Sequence, residues 1–176
     1  MKKFILISIG LLSLVNIYAS DSTYRNVALN PKAGDGSYPQ ATTNSQYNDT
    51  TFAANNAING QTSNIGYGKT MPSWGPHKRN DLWFKIDFGK EVEIDKAIIW
   101  VRAKFKPFAK IDHDSYFKSG VMEFSDGSKH SFTLDRTADA QELKFPKQKT
   151  KWVKFTKLVP NKNLWCGFTE VQIWGE

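Results

Sequence analysis

Leu82-Trp83-Phe84-Lys85-Ile86-Asp87-Phe88 sets Leu82, Phe84, Ile86 and Phe88 on one side of an extended chain and Trp83, Lys85 and Asp87 on the other. Successive side chains of a strand point to opposite faces, so this segment buries one face at period two. Downstream, Val92 to Val101 is a longer run rich in β-branched residues and Trp, which favour strands. Ser119 to Phe124 and Lys129 to Leu134 flank Ser125-Asp126-Gly127-Ser128, a spacing that predicts a hairpin. Asp-Gly suits a tight turn in which both central positions have positive φ. Gln141 to Phe145, Lys151 to Thr156 and Phe168 to Trp174 complete at least six strands. Beyond the N-terminal segment no comparable window repeats at 3.6 residues. The pattern predicts an all-β sandwich.

The N-terminus reads differently. Lys2 and Lys3 precede a mostly apolar run from Phe4 to Tyr18, with Ile17 and Ala19 placed for cleavage before Ser20. That is the layout of a secretory signal peptide over residues 1–19. The run is shorter than the roughly 20 apolar residues that span a bilayer, so the expectation is cleavage rather than a membrane anchor. Residues 20–176 then form one domain, secreted or periplasmic, with no integral membrane span. The full chain holds 24 basic and 17 acidic residues, a balance of +7, which becomes 22 against 17, or +5, without Lys2 and Lys3. Such a field favours acidic ligands without demanding them, and export argues against nucleic acid as partner. Cys166 is the sole cysteine. No intramolecular disulfide can form, and the thiol reads as a small buried apolar group.

Three stretches lack strand patterning: residues 30–81, Ala103 to Lys118, and Val159 to Gly167. Long loops in a compact sandwich are uncommon unless they bind something, so function is sought there.

Four segments resemble the discoidin, or coagulation factor 5/8 type C, superfamily, and within it the family 32 carbohydrate-binding modules. Asn26-Val27-Ala28-Leu29-Asn30-Pro31, with Ala41-Thr42-Thr43-Asn44-Ser45, is similar to the family's opening. Ala53-Ala54-Asn55-Asn56-Ala57-Ile58-Asn59-Gly60 resembles its A-x-D-G loop. Trp83-Phe84-Lys85-Ile86-Asp87-Phe88-Gly89-Lys90 resembles its W-x-x-I-D-L-G strand, and Gly167-Phe168-Thr169-Glu170-Val171-Gln172-Ile173-Trp174-Gly175 its closing E-I-x-V-x-G strand. The resemblance implies a galactose-binding-like β-sandwich jelly roll and a structural Ca²⁺ ion. Its ligands would be the Asn56 and Gln61 carbonyls, the Asn59 side chain, Asn64, the Thr169 carbonyl and the Glu170 carboxylate. Six oxygens suit Ca²⁺. The usual aspartate is Asn59 here and the usual threonine Asn64, so Glu170 alone brings charge and weaker binding is expected. Asn59-Gly60 also reads as a turn needing no metal.

The resemblance further implies a glycan site on loops at one end of the sandwich. Sugars offer an apolar face and a rim of hydroxyls, so the site needs an aromatic ring and planar polar groups. The loops supply Trp74, His77, Arg79, Arg102, His113, Asp114, Tyr116 and Trp165, with Phe105 and Phe108 beside them. Trp74, between Pro72-Ser73 and Gly75-Pro76, reads as an exposed platform rather than core; Trp165 reads equally as either. His113-Asp114 forms a sugar clamp or a turn-stabilising pair. Arg102 projects into the loops or pairs with Asp112 or Asp114. Lys104, Lys106 and Lys110 read as a solvated basic face. No nucleophile elbow, zinc motif or phosphate loop is present, and no carboxylate pair stands in a motif, so the expectation is binding to a glycan or polysaccharide without catalysis. The alternative is a discoidin-type adhesin for protein or membrane surfaces, with Phe105, Phe108 and Ile111 at a loop tip.

Overall fold

In a computed structural model, the structure describes residues 23–32, 35–63, 73–103, 115–162 and 165–176. The N-terminal segment read as a signal peptide lies outside them. The described chain is antiparallel β throughout, apart from one 3₁₀ helix at Ala54–Ile58. The strands are β1 (Arg25–Asn26), β2 (Gln40–Thr43), β3 (Phe84–Val101), β4 (Phe117–Phe124), β5 (Lys129–Thr133), β6 (Gln141–Pro160) and β7 (Phe168–Gly175). They run in the order β1-β7-β3-β6-β4-β5, with β2 joined to β3.

Two of the expected strands merge into others. The runs at 82–88 and 92–101 are a single β3, and those at 141–145 and 151–156 a single β6. The polar interval Gly89-Lys90-Glu91, which reads as a break, is a corner. Before it β3 pairs with β2 and the C-terminal half of β6; after it β3 pairs with β7 and the N-terminal half of β6. The register slips between Asp87 and Val92, and Gly89 takes φ +71°. Bulges of this kind let one strand serve both layers of a sandwich.

The hairpin forms between β4 and β5, but its turn differs from the expected one. The Phe124 carbonyl accepts from Gly127 N–H at 3.0 Å, and Phe124 N–H donates to Ser128 at 3.0 Å. Three residues therefore close the loop. Only Gly127, at φ +86°, is left-handed. A three-residue loop uses an ordinary turn followed by one left-handed residue, whereas a two-residue loop needs two.

The core is aromatic. Phe84, Phe155 and Phe168, one each from β3, β6 and β7, pack with centroids 5.6–6.0 Å apart. Leu82, Ile86 and Phe88 are buried on the same face as Phe84, as the alternation requires. On the outer face Trp83 and Trp152 are half-buried beneath the ammonium groups of Lys154 and Lys85, 4.5 and 5.2 Å from the ring centroids.

Candidate functional site

Trp74 is not a platform. It is 0% exposed, its ring packed on Phe84, Phe168 and Phe117 at 5.1, 5.4 and 5.8 Å. The reason is a one-residue bridge to β7: Trp74 N–H donates to the Phe168 carbonyl at 2.9 Å, which turns the indole inward. Its Nε1–H donates to the Ser45 carbonyl at 3.0 Å, so the buried polar tip is satisfied. The flanking turn residues reflect close packing instead of exposure. A Cβ on Gly167 would stand 2.1 Å from the Trp74 carbonyl oxygen, and one on Gly75 would stand 2.6 Å from the Arg102 guanidinium.

Arg102 follows β3 directly and is buried. Its guanidinium donates to Ser73 Oγ at 2.9 Å and the Trp74 carbonyl at 3.4 Å, and lies 5.1 Å from the Phe52 ring centroid. Rather than reaching out from the loops, it clamps the segment that carries Trp74. Tyr116 is half-buried with its side chain against the core. Its backbone exchanges hydrogen bonds with Asn161, donating to Oδ1 at 2.9 Å and accepting from N–H at 2.9 Å. These two residues support the site without presenting themselves to a ligand. His113, Asp114 and Asn64, like Asp112, Phe105, Phe108 and Ile111, lie outside the described residues.

His77 and Arg79 line one recess, and Trp165 meets that wall through Lys78. The recess, of about 350 Å³, lies between the Pro76–Asn80 segment and the residues Pro160 and Cys166, with Leu82 and Phe117 as apolar lining. That volume falls at the small end of the roughly 300–1,000 Å³ range for ligand pockets. His77, Lys78, Arg79 and Asn80 are exposed along one wall. Trp165, 40% exposed, stands beside that wall with Lys78 Nζ 4.3 Å from its ring centroid. Its carbonyl accepts from Ser115 Oγ at 3.0 Å, which ties the segment to the start of β4. Arg79 Nε and Nη2 donate to both oxygens of Asp81 at 2.7 and 2.5 Å, and these bonds hold the Asp81 carboxyl below its ordinary range. Cys166 is buried in the lining, and burial pushes its thiol up to about 11. A thiol so rarely ionised at neutral pH is a poor nucleophile.

One aromatic group escaped the sequence reading. Tyr47 is 57% exposed, its ring 5.4 Å from His77 and 5.9 Å edge-on to Phe52. Tyr47 N–H donates to the Gly75 carbonyl at 2.8 Å, so the loop after β2 is stitched to the recess wall. The signal was present in Gln46-Tyr47-Asn48-Asp49, an aromatic residue among turn formers.

The Glu170 carboxyl is 0% exposed in β7. Oε1 accepts from Gly60 N–H at 3.0 Å, while Oε2 has no hydrogen-bond partner among the described residues. Burial pushes the group up to about 8, against the backbone N–H groups of Gly60 and Asn59 that favour the anion. Asn59 Oδ1 accepts from Gln61 N–H at 2.9 Å, which is the turn expected of Asn59-Gly60. Asn56 Nδ2 donates to the Thr50 carbonyl, which anchors that side chain beside the Asn59 loop. Thr169 is buried beside Glu170. A buried carboxylate with an unpartnered oxygen, next to a loop of amide oxygens, fits a hard cation. Among the described residues no three His, Cys, Asp or Glu cluster, so one carboxylate would supply all the charge.

A family described as a domain of unknown function, DUF7402, matches residues 36–174. The chain belongs to the DUF7402 family. No curated protein matches the sequence. Solved structures do share the fold of this DUF7402 domain. Chitosan-binding module 1 of a Paenibacillus sp. IK-5 chitosanase/glucanase aligns with TM-score 0.61 at 16% identity, over 86% of this chain and 99% of that one. The lectin domain of lectinolysin, solved with Lewis B antigen, aligns with TM-score 0.60 at 18% identity, over 86% and 97%. The family 32 module of C. perfringens NanJ, solved with galactose, aligns with TM-score 0.58 at 12% identity, over 77% and 92%. The DUF7402 domain thus has the galactose-binding-like jelly roll of discoidin-type and family 32 modules. At such identities the likeness carries the fold alone.

Proposed function

We propose that this domain is an exported, non-catalytic glycan-binding module whose ligand enters the recess lined by Pro76–Asn80, Pro160 and Cys166. The observation that carries the reading is a half-exposed indole, Trp165, beside a concave wall bearing His77, Arg79 and Asn80. An aromatic face and planar hydrogen-bonding groups are the two things a sugar ring requires. The shared fold with modules solved in complex with galactose and Lewis B antigen supports it. Tyr47, next to His77, extends the surface toward a second sugar ring. The described residues that line the recess include neither Asp nor Glu, so none of them supplies the carboxylate pair that glycoside hydrolysis needs. Among the described residues no helix is long and apolar enough to cross a membrane.

We also propose that the Glu170 site holds a structural cation, best suited to Ca²⁺ with carbonyl and amide oxygens from Asn56, Asn59, Gln61 and Thr169. Bound there, the ion would supply charge compensation to Glu170 and fasten the Asn59 loop to β7; it has no part in ligand chemistry.

The test is a glycan array followed by titration of the positive sugars with Trp165→Ala and Tyr47→Ala. Both positions are exposed, so stability should stay within about 0.5 kcal/mol while affinity falls, most for Trp165→Ala. Binding that survives both substitutions unchanged would remove the site assignment.

A further inference from the structure

We infer that the sugar taken in this recess carries an anionic substituent, a carboxylate or a sulfate; the inference rests on the glycan reading above and narrows it. His77, Lys78 and Arg79 are consecutive and exposed on the recess wall. Asp81 takes up the Arg79 charge through two hydrogen bonds. Lys78 is different. Among the described residues no carboxylate lies within ion-pair distance of it, and its ammonium rests over the Trp165 ring at 4.3 Å. A cation–π contact uses the charge of an ammonium group without satisfying its three N–H donors. Those donors stay available at the point where a sugar would meet the indole.

The wall is rich in donors and short of acceptors. Modules for uncharged sugars can bind hydroxyl groups with carboxylates, the strongest acceptors a side chain offers. Among the described residues that line the recess there is no carboxylate, and neighbouring Asp81 is taken up by Arg79, so a ligand that brings its own acceptor oxygens suits this wall. A sugar carboxylate or sulfate does so, and its charge is complementary to Lys78 and to the balance of +5 that remains once Lys2 and Lys3 are left out, which steers anions toward the surface. The same wall opposes a cationic sugar. Although the fold is shared with a chitosan-binding module, a glucosamine ammonium would face Lys78 as a like charge.

The experiment titrates the whole chain with a galacturonic acid tetramer, its carboxyl-reduced counterpart, a sulfated galactan tetramer and a glucosamine tetramer, at low and at moderate salt. At least one anionic tetramer should bind about fivefold more tightly than the carboxyl-reduced one, the scale of one exposed ion pair. The gap should narrow as salt shortens the Debye length from about 30 Å to about 8 Å. Lys78→Gln should erase the gap, while Trp165→Ala should lower affinity in every arm that binds. Equal or tighter binding of the uncharged or glucosamine tetramer, or a preference that survives Lys78→Gln, would overturn this inference and leave glycan binding standing. Absence of binding to every sugar, in these arms and on the array, would overturn both.

Discussion

Raising the pH from 5 to 9 in the presence of a chelator should progressively destabilise this domain, and Glu170 should be the cause. Burial lifts its carboxyl from the ordinary 4.5 to about 8. Below 4.5 the folded and unfolded states are both protonated there, so the group contributes no pH dependence. Between 4.5 and 8 the unfolded chain releases a proton that the folded one retains, so stability falls as pH rises. Each decade of difference is worth about 1.4 kcal/mol, and the unpaired buried charge therefore costs about 3–5 kcal/mol above pH 8. For a domain of this size that is a fall in Tm of about 10 °C. The exposed carboxylates act in the opposite sense and in a lower window. Hydrogen bonds from Ser37, Arg79, Lys147, Lys129 and Ser128 hold Asp35, Asp81, Glu93, Glu123 and Asp126 below their ordinary values. Their contribution is lost only as pH drops through the acid range, below the window in which Glu170 acts. A cation at Glu170 reverses the effect, because it binds the ionised folded form; at a hundredfold excess over Kd it returns about 2.7 kcal/mol. The assay is thermal unfolding at half-unit pH steps, with chelator and with millimolar calcium, for wild type and Glu170→Gln. The amide oxygen of Gln keeps an acceptor for Gly60 N–H, so the variant should fold, show a flat profile across this interval and ignore calcium. Wild-type stability that is flat or rises between pH 5 and 8 in chelator would refute the buried-acid argument. A full calcium response in Glu170→Gln would refute the cation site.

Trp74→Ala should lower unfolding free energy by about 3–5 kcal/mol in urea titrations, the usual cost of removing a large buried ring; a stable variant that lost only glycan affinity would return Trp74 to the binding surface. Gly167→Ala should cost about 1–3 kcal/mol, because the new methyl would stand 2.1 Å from the Trp74 carbonyl oxygen. Ordinary stability in that variant would show that the 74–168 bridge is dispensable.

Period-two alternation made most of the fold legible, because burial on one face of a strand leaves a mark on every second residue. It failed where a strand turns a corner. Gly89-Lys90-Glu91 are exposed although they belong to β3, so their polarity looks like a loop. Likewise Lys147-Gln148-Lys149 in β6 carry the polarity of a solvent-facing bend inside a strand of 20 residues. The site was harder to read, for a different reason. Loop composition says that a segment is irregular, but the direction of its side chains depends on which backbone groups it meets. Trp74 and Tyr47 sit in equally polar, turn-rich surroundings. Trp74 N–H meets the edge of β7 and the ring goes inward; Tyr47 N–H meets Gly75 and the ring stays out. Neither partner is near in sequence, and no pattern of neighbours encodes the difference. Lys78 was passed over because lone lysines are ordinary on surfaces; what sets it apart is the indole beneath it.

Trp74 and Arg102 bear on ligand affinity even though neither is among the residues that line the recess. A shallow site contacting one or two sugar rings gains little from area, so its affinity depends on how much ordering binding requires. With a single cysteine, no intramolecular disulfide can stiffen the loops. Trp74 and Arg102 take that part from below, since the indole, the Ser73 hydroxyl and the Phe52 ring hold the start of the 73–80 segment against the core. Asn161 and Ser115 do the same for the opposite wall. The walls are therefore positioned before a sugar arrives, and the side chains left to order are few. Enlarging the exposed face would add contacts and entropy cost together, whereas weakening the Arg102 clamp would loosen one wall alone. Arg102→Met, which retains much of the apolar stem and removes the donors, separates the two contributions: affinity should fall through faster dissociation while the set of sugars bound stays the same.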